Sequence, residues 1–355
     1  MAAVPVSVIT GFLGSGKTTL LARLLRDPAF ARTAVIVNEF GEVGLDHLLV
    51  EVSDEEIVLL DSGCMCCSVR GDLVRTAGSL LARRAAGAIA PFERIVIETT
   101  GLADPAPILQ ALMTDPAIAD ALCLESVIAT VDAAAGAATL DAHPESVKQA
   151  AIADRIVFTK TDLGDPRSNG LAARVEALNP AAPKLIAVHG AVDASRLFGG
   201  RAQAGGPDMR AWLAAEAVPR DPAEHAHGHA AGRHDGAVTS FCLRRITPLR
   251  AVTLTLFLQV LAEHCGARLL RLKGLVDVLE SPGRPAVIHG VQHVFHPPAW
   301  LDAWPDEDCT TRIVVIALGL DPLWFEALLD ALDGEVAALQ AGAAAAAGAP
   351  AAREG

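Results

Sequence analysis

The sequence has no surplus of positive charge and no long apolar run. Its formal net charge is -13 at pH 7, which argues against a surface that neutralises the phosphates of a nucleic acid. No stretch reaches the ~18 consecutive apolar residues that a membrane-spanning helix needs. The first residues also lack the basic segment of a secretory signal, because their apolar stretch runs directly into glycines. We therefore expect a soluble, cytoplasmic protein that binds neither nucleic acid nor membrane.

Cysteine is sparse except at one place. Three of the seven cysteines crowd together at Cys64, Cys66 and Cys67, and the other four are scattered. In a reducing compartment, such a cluster is more often a metal or redox site than a disulfide framework. Hydrophobic residues make up 52% of the chain, so a large core is possible, and 355 residues are enough for two domains.

Short apolar runs alternate with amphipathic stretches over residues 1–196. Continuous β-branched runs separated by helices indicate an α/β domain with a doubly wound, mostly parallel sheet covered by helices on both faces. The predicted strands are Val4–Thr10, Thr33–Asn38, Ile57–Leu60, Arg94–Glu98, Ser126–Val131 and Arg155–Thr159. The predicted helices are Thr18–Arg26, Asp72–Arg84, Pro107–Met113 and Asn169–Ala177.

The pattern changes after residue 196. Residues 197–236 hold glycine, proline, alanine and histidine with little periodicity, and they predict a linker. Residues 237–334 predict a second, smaller α+β domain of a few antiparallel strands and packed helices, with the last helix at Pro322–Leu332. Residues 335–355 form an alanine-rich, low-complexity tail, which we expect to be frayed or disordered.

Residues 11–18, GFLGSGKT, match the phosphate-loop motif G-x-x-x-x-G-K-[ST] at every fixed position, between a predicted strand and a predicted helix. The glycines let successive backbone N–H groups face phosphate oxygens, and the helix start adds its positive dipole end. Lys17 would bring positive charge to the outer phosphates, and the Thr18 hydroxyl is a hard oxygen suited to Mg²⁺. The nucleotide-binding candidates in this segment are Gly11, Gly14, Ser15, Gly16, Lys17, Thr18 and Thr19.

The predicted strand Arg94–Glu98 ends in a carboxylate and is followed by Thr-Thr-Gly101. An acid in this position can hold a Mg²⁺-bound water, and Gly101 lets a backbone N–H approach a terminal phosphate. Lys17, Glu98 and Gly101 are therefore the candidate catalytic residues, and Thr18 and Glu98 are the candidate Mg²⁺ residues. A hydrogen-bonded carboxylate at a strand end is the alternative interpretation of Glu98.

Residues 159–162, TKTD, follow another predicted strand. The Asp162 carboxylate can accept both donors on one edge of guanine, a pair that adenine does not offer, and the Lys160 stem can cover the base. GTPases usually have asparagine at the first position, so Thr159 weakens the case for a contact to the base's acceptor edge. We predict GTP as the nucleotide, with Thr159, Lys160 and Asp162 as binding candidates, and we regard an ATP-using protein as disfavoured. No arginine finger or water-positioning glutamine is evident, so slow intrinsic hydrolysis is expected.

The cysteine cluster lies between the strand at Ile57–Leu60 and the next helix. Cys64 and Cys66 would point the same way in an extended segment, and a turn could bring Cys67 round to join them. Three thiolates suit Zn²⁺ or another late first-row metal, and they leave a tetrahedral ion one position short, which suits transfer better than permanent structure. Small buried side chains packed under a turn are the alternative.

Loops that follow the carboxyl ends of the strands gather at one edge of a doubly wound sheet. The phosphate loop, residues 38–46, the cysteine cluster and residues 98–101 each follow a predicted strand, so nucleotide and metal should be neighbours. Residues 38–46 occupy the place of a switch loop. Glu42 is the candidate fourth ligand of the transition metal, with Glu39 and Asp46 open for either ion, and each of the three can equally be a solvated acid.

Five ordered segments resemble the CobW family of metal-handling P-loop GTPases: TGFLGSGKTTLL, VNEFGEVGLD, SGCMCCSVRGDL, VIETTGLADPAP and TKTD. The stretch RLLRLKGLVDVLESPGRPAVIHGVQHVFHPPAWLDAWP is similar to the family's C-terminal domain, so the match spans roughly Val4 to Leu320. The resemblance implies Mg²⁺-dependent GTP hydrolysis and a metal site at Cys64, Cys66 and Cys67. It also implies delivery of zinc, cobalt or iron, with zinc favoured, to a client metalloprotein. A homo-oligomer stays open, and so does a metal storage or sensing module with incidental hydrolysis.

Histidines form two further groups. His225, His227 and His229 alternate in the linker, where imidazoles can share a metal, although solvated linker histidines are a serious alternative. For His289, His293 and His296, which belong to the predicted second domain, the resemblance favours a structural or partner-facing role over a metal site.

Overall fold

The computed structural model describes residues 3–37, 57–59, 68–198 and 238–347. The chain divides into two compact units, Met1–His234 and Asp235–Gly355. Residues 38–46, the cysteine cluster and the linker histidines lie outside the described residues. None of the described helices is both long and apolar enough to cross a bilayer.

The described part of unit 1 contains a seven-stranded sheet in which every paired strand is parallel. Its order is β3-β2-β4-β1-β5-β6-β7. The strands are β1 Val4–Gly11, β2 Thr33–Val37, β3 Ile57–Leu59, β4 Arg94–Glu98, β5 Leu122–Asp132, β6 Arg155–Thr159 and β7 Lys184–Ile186. Because all strands run the same way, their carboxyl ends meet at a single edge, which carries the candidate site.

Helices alternate with these strands. They are α1 Lys17–Leu24, α2 Ser68–Ala85, α3 Ala106–Thr114, α4 Gly136–Ala142, α5 Pro144–Ile152, α6 Leu171–Leu178 and the single turn α7 Ala194–Leu197. Successive residues of β6 show how the sheet is covered on both sides. Val157 packs in the cluster that includes Leu20 and Leu21 of α1, whereas Ile156 and Phe158 pack in the cluster that includes Leu171 of α6. The predicted doubly wound α/β domain is confirmed.

Unit 2 contains an antiparallel sheet, which confirms the predicted α+β class. Its strands are β8 Val238–Arg245, β9 Leu269–Val276, β10 Ala286–Val291, β11 Val294–Phe295, β12 Ala299–Trp300 and β13 Thr311–Leu318. Two helices, α8 Ala251–Cys265 and α9 Pro322–Ala347, complete the unit. The core joins Phe257 and Leu261 of α8, Phe325 of α9 and inward residues of the sheet, such as Ile313 and Val315.

Several predicted elements differ from the structure. The last helix was predicted to end at Leu332 but continues to Ala347, because the alanines that follow have the highest helix propensity of all residues. The predicted fraying of the tail is therefore wrong for residues 335–347. The helix predicted from Asp72 begins earlier, at Ser68. The helices α4, α5 and α7 and the strand β7 were not predicted; α4 and α5 are separated by only His143, and Pro144 opens α5 as a residue suited to a first helical turn.

Candidate nucleotide site

The phosphate loop occupies the turn between β1 and α1, as the motif requires. Gly11 has φ 139°, and a Cβ added to it would lie 2.3 Å from Thr130 Oγ1, so no other residue fits here. Gly16 precedes α1 with φ 92°. Gly14 and Ser15 lie in the turn between them, and Thr18 and Thr19 lie in the first turn of α1. The structure thus brings together all seven predicted residues of this segment.

The loop rests on hydroxyl groups from neighbouring strands. The hydroxyls of Ser15 and Thr130 are 2.6 Å apart, and Thr130 also donates to the carbonyl of Thr10 at 3.3 Å. The Thr159 hydroxyl donates to the Ser15 carbonyl at 2.6 Å. All of these side chains are buried. Thr159, the position that departs from the usual asparagine, therefore attaches the TKTD segment, residues 159–162, directly to the phosphate loop.

Lys17 places a buried ammonium at the mouth of the loop. Its Nζ donates to the carbonyls of Gly11 at 3.0 Å and Phe12 at 3.2 Å. A cation held by the loop's own carbonyls is oriented before any phosphate arrives, so little side-chain ordering remains to be done on binding. Phe12 is itself stacked on His143, with ring centroids 4.3 Å apart.

The two predicted Mg²⁺ residues meet at the carboxyl ends of adjacent strands. The Thr18 hydroxyl donates to Glu98 Oε1 at 2.7 Å, and Glu98 is 2% exposed. The strands β1 and β4 are paired up to Ile9 and Glu98, which brings this carboxylate to the start of α1. A hydroxyl and a carboxylate are both hard oxygen donors, the ligand type that Mg²⁺ prefers.

Gly101 lies against the tip of the phosphate loop. A Cβ on Gly101 would be 2.5 Å from both Cα and N of Leu13, closer than real side chains approach a backbone. The segment before it is anchored to β1, because Thr99 N donates to Ile9 O at 2.9 Å and Thr99 Oγ1 donates to Thr10 Oγ1 at 3.0 Å. The loop after β4 and the phosphate loop therefore pack backbone to backbone.

Lys160 is oriented by a residue that the sequence argument missed. Lys160 has the left-handed φ of 53°, and its Nζ donates to Asp132 Oδ2 at 2.7 Å, while the backbone N–H groups of Ala134 and Ala135 donate to Oδ1. Burial raises the pKa of the Asp132 carboxyl, but the bonds from Lys160 and the two N–H groups, with the ammonium charge, outweigh it and hold the pKa below its ordinary value. Asp132 ends β5, a position where functional residues gather in parallel sheets.

Asp162, the last residue of the TKTD segment, lies at the same edge of the sheet. Its side chain is about one-third exposed, and its Oδ2 lies 3.9 Å from Nδ1 of His189, an ion pair only if that histidine is protonated. The loop that carries His189 returns to the start of α1, since a Cβ on Gly190 would lie 2.8 Å from the carbonyl of Thr19. The base-binding candidates and the phosphate loop thus lie on one edge of the sheet.

The metal candidates are placed only in part. Cys64, Cys66, Cys67, Glu42, His225, His227 and His229 lie outside the described residues. Among the residues that the structure does describe, no group of three histidine, cysteine or acidic side chains is arranged to hold a metal ion. His296 N donates to His289 O at 3.0 Å, which joins the residue after β11 to β10. Burial, followed by the charge of Arg271, lowers the pKa of His296.

Family models match both units. Residues 5–185 match the CobW/HypB/UreG nucleotide-binding domain, and residues 238–333 match the C-terminal domain of the cobalamin synthesis protein CobW. The chain belongs to the CobW family. The resemblance inferred from the sequence motifs is thereby confirmed. In this CobW-family chain, the phosphate loop at residues 11–18 falls within the matched nucleotide-binding domain.

Individual relatives agree with the family assignment. The zinc chaperone YjiA of Escherichia coli is 32% identical over 317 residues, which cover 89% of this chain and 95% of that protein. The zinc chaperone CobW of Pseudomonas aeruginosa is 33% identical over an alignment of 359 residues, which covers 90% of this chain and 89% of that protein. Among solved structures, the Zn(II)-bound YjiA GTPase from E. coli has a TM-score of 0.68 and 26% identity, and the match covers 94% of this chain and 99% of that one.

Proposed function

We propose that this chain is a GTPase that hydrolyses GTP and delivers a transition metal ion, zinc in the first instance, to a client protein. One observation carries the catalytic half of the proposal: Thr18 Oγ1 and Glu98 Oε1 meet at 2.7 Å beside the loop that holds the Lys17 ammonium. Oxygen ligands and a cation at the start of a helix form the set of groups that phosphoryl transfer requires.

Mg²⁺ fits the residues at this position. The hydroxyl of Thr18 would bind the ion directly and Glu98 would hold one of its waters, in keeping with the ion's preference for hard oxygen ligands. The bound ion would supply positive charge that offsets the charge developing on the phosphates during transfer. Lys17 would stabilise the outer phosphates, and the backbone at Gly101, packed on Leu13, would face the terminal phosphate.

Guanine selectivity follows from Asp162 and from the fixed position of Lys160. Asp162 would accept both donors on the guanine edge, a pair that adenine lacks. Because Asp132 holds Lys160 at 2.7 Å, the aliphatic stem of Lys160 is positioned to cover the base. We expect slow intrinsic turnover, since Gln149, the buried glutamine that contacts Gly101, already donates to backbone carbonyls instead of orienting a water.

The metal cargo would bind Cys64, Cys66 and Cys67, with Glu42 as the fourth ligand. The support is the soft-ligand chemistry of the cluster, together with two relatives that are named zinc chaperones. Cobalt or iron stays open as cargo, the linker histidines remain candidate auxiliary ligands, and a homo-oligomer is compatible with the proposal. A cytoplasmic location would keep the thiols reduced.

Topology supports a connection between the two sites. The segment that carries the cysteines follows β3, which is separated from β1 by β2 and β4. Strand spacing in a sheet is about 4.8 Å, so the carboxyl ends of β3 and β1 are about 14 Å apart.

Two measurements on the purified full-length protein test this function. Wild type should release phosphate from GTP with Mg²⁺ present, and Lys17→Ala should abolish that release because the charge on the outer phosphates is lost. Zinc titration should find about one tight site, and Co²⁺ loading should give a thiolate-to-metal charge-transfer band that the triple change of Cys64, Cys66 and Cys67 to serine removes. A band that survives the triple change would contradict the cysteine site, and metal transfer that is indifferent to GTP would favour storage.

A further inference from the structure

Gln149 is a buried amide that holds the loop after β4 in place. It lies on α5 and is 1% exposed. Its Nε2 donates to the carbonyl of Gly101 at 3.2 Å and to the carbonyl of Ala103 at 3.0 Å. A single side chain therefore fixes two peptide groups of the short segment between Glu98 and the start of α3.

The neighbouring lysine reinforces this attachment. Lys148 Nζ donates to Asp104 Oδ2 at 3.5 Å, and Asp104 Oδ1 accepts from the backbone N–H of Ala106 at the start of α3. Two consecutive residues of α5 thus hold the same loop. Lys148 is one-third exposed, so its ion pair is screened by solvent, and the buried amide provides the stiffer contact.

The amide of Gln149 is only half satisfied. Its Oε1 is buried and has no hydrogen-bond partner among the residues that the structure describes. An apolar residue of similar shape would avoid the cost of that unpaired oxygen, but it would leave the buried carbonyl of Gly101 and the partly buried carbonyl of Ala103 without this donor. The side chain also lines a cavity beside the phosphate loop, shared with Gly11, Ser15 and Thr130. Compared with an apolar residue, a glutamine at this position supplies N–H donors to the carbonyls of Gly101 and Ala103.

Holding the Gly101 carbonyl has a consequence for the site. Because peptide groups are planar and trans, fixing that carbonyl fixes the N–H of Leu102 on the opposite side of the same peptide. Gly101 already touches the backbone of Leu13, so its position along the phosphate loop is set on one side by Leu13 and on the other by Gln149. A rigid Gly101 would distinguish a nucleotide that has a terminal phosphate from one that lacks it.

We infer that Gln149 is a positioning residue that sets how strongly the site discriminates between GTP and GDP. The inference rests on the proposed GTPase function, and it concerns the loop after β4 and not the metal site. Gln149 acts through the Gly101 and Ala103 carbonyls and takes no part in proton transfer or in binding the base.

The experiment compares two buried amides, Gln149 on α5 and Asn179, whose side chain contacts the end of α5. Asn179 is 2% exposed, and its Nδ2 donates to the carbonyls of Ala150, Ala151 and Ala153 at the end of α5. In the described structure its side chain also accepts from the backbone N–H of Ala182, so these hydrogen bonds lie away from the phosphate loop and the loop after β4. Gln149→Glu and Asn179→Asp each turn a buried donor into a carboxylate that faces carbonyls, so both should destabilise the fold for the same reason.

Only the change at Gln149 should alter nucleotide chemistry. We expect Gln149→Glu to lower kcat for GTP by about ten- to a hundredfold and to reduce the affinity ratio between a non-hydrolysable GTP analogue and GDP, because Gly101 is misplaced. GDP affinity itself should change little. As pH falls, the new glutamate protonates and regains one donor, so its kcat relative to wild type should rise, whereas Gln149→Leu should show a flat ratio. Asn179→Asp should keep the wild-type kcat and ratio.

Gln149→Asn serves if the charged variant does not fold, since it keeps the amide but shortens its reach by one methylene. Wild-type kcat and affinity ratio in Gln149→Asn or Gln149→Glu would overturn the inference. Equal losses of kcat and affinity ratio in the Gln149 variants and in Asn179→Asp would also overturn it, because they would come from lower fold stability alone. If wild type fails to hydrolyse GTP at all, the proposed function fails, but the affinity ratio still tests Gln149 without turnover.

Discussion

Replacing Gly101 with alanine tests whether the loop after β4 must lie against the phosphate loop. The added Cβ would be 2.5 Å from Cα and N of Leu13, and these backbone atoms cannot rotate away. The backbone of Gly101 lies outside the left-handed region, so the strain would come from this contact alone. To reach ordinary van der Waals distance, the two loops must separate by about 1 Å.

The expected size of the effect follows from that displacement. Overpacking a well-packed site costs about 1–3 kcal/mol, and for a unit of this size each kcal/mol lowers Tm by about 2–4 °C. The melting temperature should therefore fall by about 2–12 °C. The turnover number for GTP should fall by about a hundredfold, because a shift of about 1 Å moves the Gly101 backbone away from the terminal phosphate.

Thermal melts and phosphate-release assays on full-length protein measure both effects. Gly78→Ala is the matched control: Gly78 lies inside α2, and a Cβ there would meet no atom within 4 Å. That control should gain about 0.5–1 kcal/mol and keep its turnover. A Gly101→Ala protein with wild-type Tm and wild-type turnover would refute the packing argument.

Two other predictions concern the supports of the site. Thr159→Val removes the hydroxyl that donates to Ser15 O at 2.6 Å, so it should lower the free energy of unfolding by about 0.5–1.5 kcal/mol and weaken GDP binding measured by titration. Thr159→Ser keeps the hydroxyl and should stay near wild type. Equal behaviour of the two variants would disprove the role of the hydroxyl. Asp132→Asn should weaken guanine-nucleotide binding because Lys160 loses its charged partner. Because the pKa of Asp132 is lowered in the folded state, the pair stabilises the fold above the ordinary pKa of 3.8, and this stabilisation is lost as pH falls through the lowered value. Urea unfolding should therefore show the gap between wild type and Asp132→Asn shrinking in acid, and a constant gap would contradict the assignment.

The sequence was most informative where a motif demands a particular backbone. The spacing of Gly11, Gly16 and Lys17 leaves few alternatives to a phosphate loop. The structure brings Thr18 and Glu98, which the sequence offered separately as Mg²⁺ candidates, within 2.7 Å of each other. The parallel α/β class followed from continuous β-branched runs, which are buried on both faces.

Long-range packing contacts could not be anticipated in the same way. Gln149 lies 48 residues from Gly101 in sequence, and no local pattern marks it, because its role depends on how α5 packs beside the loop. Asp132 could have been found from its position at the carboxyl end of β5, but the predicted strand stopped one residue earlier, at Val131. Short amphipathic stretches such as α4 and α5 lack the length that makes a periodic pattern clear.

The central claim is that the nucleotide and the metal are coupled across one edge of the sheet. Competitive zinc titration of full-length protein, once with GDP and once with a non-hydrolysable GTP analogue, tests it most directly. We predict different zinc affinities in the two states, by about 5- to 150-fold, with the same factor appearing when zinc is used to shift nucleotide affinity. Glu42→Ala should shrink this difference more than it shrinks GTP binding. Equal zinc affinities in both nucleotide states would contradict the account and leave a metal store on a GTPase without a switch between them.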